Sequence, residues 1–132
     1  MIKGIGHIGI VVKDIEKSLK ALSQIIEFEK PLIKEFPDKK MKCAVVEMNE
    51  IALEFLQDDS EDGFLAKFHR ERGDAIHHFA LLSDDMDKDV AMLKGKDIPM
   101  MDHEPRTGLR GKKIAFTAPG AFGGISIELS EP

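Results

Sequence analysis

The chain has 132 residues, enough for one domain with its own core, and 42% hydrophobic with 33% charged residues describes a soluble globular protein. The formal net charge of −5 argues against nucleic acid as a partner, because phosphate binding needs a concentrated excess of Lys and Arg. No run of about 18 apolar residues occurs, so no membrane span is expected, and the single Cys43 excludes an internal disulfide framework and suits a reducing cytosol.

The opening MIKGIGHIGIVVKD has a short apolar run without a small-residue cleavage site, and it reads as the start of a strand over residues 5–12 rather than a leader. Asp14 then caps a helix with Ile15, Leu19, Leu22 and Ile26 on one face. Residues 42–48 and 51–57 read as a hairpin turning at Asn49 and Glu50, with Cys43 among apolar neighbours as a small buried hydrophobe. An amphipathic stretch from Phe64 to Arg72, within a connecting segment of about 62–73, reads as a helix. A strand at 76–82 follows, then a helix from Asp85 to Lys94 stopped by Gly95, and strands near 113–117 and 124–130. Segments 29–35 and 97–101 each supply a further strand, although Pro31 and Pro99 interrupt them. The expected organisation is a single domain over 1–132 built from two modules, about 1–60 and about 75–132, each with the order β-α-β-β-β.

The two modules share sequence. HIGIVVKDIEKSLKAL from His7 lies without a gap over HFALLSDDMDKDVAML from His78, and ALEFL around Glu54 matches SIELS around Glu128. Each half thus supplies one His and one Glu. Strand alternation puts Ile8, Ile10 and Val12 opposite His7, Gly9 and Val11; it also puts Phe79 and Leu81 opposite His78, Ala80 and Leu82. Glu54 and Glu128 fall on the corresponding small or polar face of their own strands. A single His in a strand is ordinarily a hydrogen-bonded core residue, and a single Glu a solvated one. Four such residues at repeat-related positions and on one parity read instead as a divalent-metal set: His7, Glu54, His78 and Glu128. By the same parity His77 faces the helices and is structural, whereas His69 and His103 read as surface residues.

These segments resemble the vicinal oxygen chelate (glyoxalase/bleomycin resistance) superfamily over nearly the whole chain. HIGIVVKDIEKSLK is similar to the opening of many of its members. GFLAKFHRERGDAIHHFALLSDDMD, with its double His before an acidic turn, and RTGLRGKKIAFTAPGAFGGISIEL are closer to the methylmalonyl-CoA epimerase branch. The resemblance implies an α+β fold in which two β-α-β-β-β modules form a curved eight-stranded sheet around a metal-binding concavity, with helices outside. It also implies one divalent ion per site (Co, Mn, Ni or Zn), a small-molecule acyl-CoA substrate and a homodimer; the expected cytoplasmic location comes instead from the single Cys43. His7, His78 and Glu128 match the family's metal ligands, and Glu54 falls where the family has Gln or Glu as a fourth.

The implied chemistry is epimerisation of the carbon between a thioester and a carboxylate, through an enolate that the ion stabilises as a Lewis acid. Acid/base groups must flank that carbon. Glu128 matches a residue that acts in proton transfer as well as ligation; for the opposing group Glu47 and Glu54 are both candidates, since the hairpin here is short and the alignment does not place Glu47 on the family's position. Arg106, Arg110, Lys112 and Lys113 form a local basic cluster suited to phosphate or carboxylate, or simply to solvent. Alternatives are a glyoxalase I type lactoylglutathione lyase with a similar ligand set, a non-catalytic small-ligand-binding member, and an iron dioxygenase, which the fourth carboxylate disfavours.

Overall fold

The computed structural model describes residues 2–132. In chain order the elements are β1 (Ile2–Val11), α1 (Ile15–Ser23), β2 (Leu32–Phe36), β3 (Met41–Met48), β4 (Ile51–Asp58), α2 (Phe64–Arg72), β5 (Ala75–Ser83), α3 (Met86–Gly95), β6 (Arg106–Thr107), β7 (Lys113–Phe116) and β8 (Ser126–Ser130), with 3-10 turns at Pro37–Lys39 and Pro119–Phe122. This is β-α-β-β-β twice, an α+β fold, and the strands hydrogen-bond into an eight-stranded mixed sheet in the order β2-β3-β4-β1-β5-β8-β7-β6. No helix among the described residues is long and apolar enough to cross a membrane. Two compact units divide the chain: Ile8–His77 is one, and His78–Pro132 with the segment ending at His7 is the other.

In the unit Ile8–His77, the Asp14 carboxylate accepts the Lys17 N–H at 3.2 Å and starts α1. Ile15 from α1 joins Val12, Ala44, Val46 and Phe55 in a buried cluster, and Leu19 and Leu22 pack against it. The Gln57 side-chain carbonyl accepts the Ile15 N–H at 2.9 Å, which ties the first turn of α1 to β4. The β3–β4 hairpin turns at Asn49, whose φ of 65° is the left-handed conformation Asn tolerates. α1 ends at Ser23, so Ile26 lies beyond it and is exposed rather than on the packed face. α2 has Gly63 at its N-cap, which offers no side chain; Asp58 caps in its place, accepting the Ala66 N–H at 3.0 Å through Oδ2 and the Ser60 hydroxyl at 2.6 Å through Oδ1.

In the other unit, Asp85 caps α3 by accepting the Lys88 N–H, and the Ser83 hydroxyl donates to the buried Asp89 carboxylate at 2.6 Å. Met86 and Val90 of α3 pack with Met100, Ala115 and Leu129. β5 pairs in parallel with β8, placing His78 beside Ser126 and Ala80 beside Glu128, and β7 pairs antiparallel with β8, placing Phe116 beside Glu128.

One expectation fails here. Segment 97–101 is not a strand: Met100 makes one isolated bridge, to Thr117, and the short β6 lies later, at Arg106–Thr107. The Phe116 carbonyl accepts both the Met101 and Asp102 N–H groups, and the Phe116 N–H goes to the Asp102 carboxylate, so the ladder is broken where a regular strand would continue. Gly95 is the last residue of α3, as expected, but it is not the left-handed cap: Lys96 N–H bonds back to Met92 and Leu93, and the left-handed residue is Asp97 with φ 58°. Asp is among the few side chains that tolerate this conformation.

His7, Gly9, His78, Ala80, Ser126 and Glu128 are buried, whereas on the opposite faces Ile8, Ile10, Phe79, Leu81 and Ile127 are partly buried and Val12, Phe55 and Leu129 fully so.

Candidate metal centre

Three of the residues singled out by parity meet within one unit. His7 on β1 and His78 on β5 approach through their Nε2 atoms at 3.0 Å, with rings edge to face at 82° and centroids 5.1 Å apart. Glu128 on β8 completes the ring, with Oε1 3.7 Å from His7 Nε2 and Oε2 3.5 Å from His78 Nε2. The register explains the meeting: Glu128 pairs with Ala80, two residues along from His78 on the same face of β5. All three are nearly sealed from water, at 5%, 2% and 5% exposure. The Phe116 ring stands edge-on to His78 at 5.2 Å and closes one side.

Burial, with Arg110 and then Lys112 adding positive charge nearby, holds the His7 pKa down at about 4, so His7 is neutral at pH 7. Neutral imidazole is the ligating form. Ligand atoms about 2.1 Å from a common tetrahedral ion are separated from one another by about 3.4 Å, and the distances of 3.0, 3.5 and 3.7 Å bracket that value. Two imidazoles and a carboxylate are a donor set for borderline divalent ions such as Zn, Co, Mn or Ni. The residues present fit a metal.

The basic cluster divides. Arg106 donates from Nε to Asp102 Oδ1 at 2.9 Å and lies over the Phe116 ring, so it is tied to the β6–β7 frame. Arg110 sits at the tip of a tight turn in which Gly108 N–H donates to the Lys112 carbonyl at 2.8 Å and Gly111 N–H to the Gly108 carbonyl at 3.0 Å. From there its Nη2 reaches His7 Nδ1 at 3.2 Å. Sequence reading grouped Arg110 with the substrate-facing cations but did not show that it touches a ligand. Phe116, beside His78, was missed altogether; its signal was the hydrophobic strand KIAF placed one pairing away from the Glu128 strand.

In the unit Ile8–His77, Glu54 is buried on β4 and Glu47 exposed on β3. Their register pairs Val45 with Glu54 and Glu47 with Ala52, so the two carboxylates share a sheet face as diagonal neighbours. Cys43 is buried on that face. His77 packs edge-on to Phe68 at 4.9 Å, and burial, with Arg72 beside it, lowers its pKa to about 4. His69 Nε2 lies 2.7 Å from Asp74 Oδ1, and His103 is exposed in its loop.

Residues 6–116 match the glyoxalase/bleomycin resistance protein/dioxygenase superfamily. The chain belongs to that superfamily. It is 27% identical over 126 residues to the uncharacterized protein YqjC of Bacillus subtilis, spanning 96% of this chain and 90% of that one. To the mitochondrial methylmalonyl-CoA epimerase of Homo sapiens it is 25% identical over 128 residues, spanning 96% of this chain and 73% of that one. Among solved structures, a methylmalonyl-CoA epimerase in complex with methylmalonyl-CoA and NH4+ superposes with a TM-score of 0.89 at 26% identity, over 99% of this chain and 95% of that one. The superfamily profile begins at Gly6, one residue before His7, and its match extends through His78 and Arg110 to Phe116.

Proposed function

We propose that this protein is a metal-dependent epimerase that interconverts the epimers of methylmalonyl-CoA. The observation that carries the reading is the buried ring of His7, His78 and Glu128, with donor separations suited to a divalent ion. The homology to methylmalonyl-CoA epimerases along nearly the whole chain supports it. His7, His78, Glu128 and Glu54 are the proposed ligands of one Co, Mn, Ni or Zn ion. When bound, such an ion supplies Lewis-acid stabilisation for negative charge developing on the thioester oxygen.

The chain's own residues do the rest. Epimerisation removes the α-proton from one face of the carbon and returns a proton to the other, with no net change in atoms or charge. Glu128 is the proposed base on one face. Glu47 and Glu54 are the candidates on the other: Glu54 is buried on β4, and Glu47 is exposed on β3, which lets it exchange protons with water. The near absence of water around His7, His78 and Glu128 protects an enolate from stray protonation. The same reading makes a small acyl-CoA the partner, the cytoplasm the setting and a homodimer the assembly.

A paired assay tests the reading. One epimer of methylmalonyl-CoA and the hemithioacetal of glutathione and methylglyoxal are offered to the same metal-loaded protein. Conversion of the first into a mixture of epimers, with the second unchanged, is expected. Turnover of the hemithioacetal instead would assign a lactoylglutathione lyase.

A further inference from the structure

We infer that Asp102 is a positioning residue for the metal centre: it fixes Phe116 from outside the ring of donors, and Phe116 in turn fixes the plane of His78. The inference rests on the metal-centre reading above. The torsion that turns an imidazole about its last side-chain bond is soft and broad, so lateral contacts must hold a buried His in one plane. A ligand has to be kept within about 0.5 Å and 10–20° of its productive place. His7, one ring against His78, is itself a proposed ligand with the same soft torsion.

Phe116 is the ring beside His78 that is not a ligand. It stands at 89° to the imidazole with centroids 5.2 Å apart, so each ring restricts rotation of the other. Phe116 is also directly opposite Glu128 in the β7–β8 ladder, and paired residues share a face of the sheet. One side chain thus borders two of the three residues that converge here.

The loop after α3 supplies what holds Phe116. Its N–H donates to Asp102 Oδ2 at 2.9 Å, and its carbonyl accepts the Met101 and Asp102 N–H groups at 3.0 and 3.1 Å. The other Asp102 oxygen, Oδ1, accepts Arg106 Nε at 2.9 Å, and the guanidinium carbon lies 5.9 Å from the centre of the Phe116 ring. Backbone and ring of Phe116 are therefore both engaged through Asp102. The clasp needs a carboxylate: each oxygen meets a donor, and Asn would turn its own N–H groups toward one of them. The Asp102 side chain is 15% exposed and that of Arg106 50%, so the clasp lies outward of the nearly sealed ligands. Groups that orient a ligand without touching the ion change metal affinity by about 10- to 100-fold when removed.

Co2+ is the probe, because its visible absorption reports the arrangement of its ligands as well as its occupancy. The whole chain is freed of metal with a chelator and titrated. In Asp102→Asn, cobalt affinity should fall by about tenfold, and the visible band of the saturated protein should change in position and intensity. Phe116→Leu, which keeps apolar bulk without a ring, should do the same. The double variant should bind cobalt no more weakly than Phe116→Leu alone, because Asp102 acts through Phe116. Before metal is added, the His78 ring-proton NMR signals should lose, in all three variants, the shift imposed by the Phe116 ring. Asp58→Ala separates positioning from lost stability: Asp58 bonds to Ser60 and Ala66, and its removal should leave the cobalt spectrum and the His78 signals as in the native protein.

The inference is overturned by native cobalt affinity and spectrum in Asp102→Asn, by additive losses in the double variant, or by an equal spectral change in Asp58→Ala. Native protein that takes up no cobalt would instead overturn the metal-centre reading, and the inference with it.

Discussion

His7 and Glu128 carry the most at the scale of single residues. His7→Ala removes one of the converging donors, and metal content measured after gel filtration should fall from about one ion per chain to a small fraction of that. Glu128→Gln keeps the shape but removes the charge and the basicity, so kcat should fall by about 10²- to 10⁴-fold, the usual contribution of a positioned acid/base. His7 and His77 also predict a pH profile. Each is held near pKa 4 when folded and returns to about 6.5 when unfolded. The unfolded chain therefore binds more protons between those values, and folding stability is lost as pH falls from about 6.5 to 4, by roughly 3 kcal/mol at most for each group. Urea unfolding of chelator-treated protein at pH 7 and pH 4.5 measures the loss, and His77→Gln should recover part of it. The parity that singled out His7, His78 and Glu128 was legible because a strand repeats every two residues. The Arg110 contact was not legible, because it joins positions 103 apart through a turn with no period.

Individual elements show where local sequence suffices. α1 and α3 each begin at an Asp whose carboxylate accepts an N–H three residues on, and both starts could be read directly. The bounds of α2 were also legible, but its capping was not, since Asp58 reaches Ala66 from the end of β4, eight residues back. Asp58→Ala should cost about 1–2 kcal/mol in chemical denaturation by leaving the first turn of α2 uncapped. Gly63→Ala should cost a similar amount for a different reason, because its Cβ would come within 2.3 Å of both Asp58 Oδ2 and Ser60 Oγ. A result within about 0.3 kcal/mol of the native protein for both would mean that Asp58 is not the cap. β6 escaped prediction because two paired residues carry no periodic signal, and the Pro99 segment that carried one is turned aside by Asp102.

At the scale of the whole molecule, the duplication read from the sequence places one His and one Glu in each half, but the compact units do not follow the sequence halves. The division cuts β1 between His7 and Ile8 and β5 between His77 and His78, so both repeat-related His residues and Glu128 belong to a single unit. Sequence periodicity gives strands and faces; it does not say which stretch of a strand shares hydrogen bonds with which neighbour. Membership of the superfamily and the α+β order of elements were legible from the His-led repeat. The epimerase assignment is tested most directly by mass spectrometry of methylmalonyl-CoA recovered from D2O after incubation with fully metal-loaded protein. The account predicts deuterium at the α-carbon, appearing with the native protein and much more slowly with Glu128→Gln. Unlabelled methylmalonyl-CoA after prolonged incubation with metal-saturated native protein would contradict it.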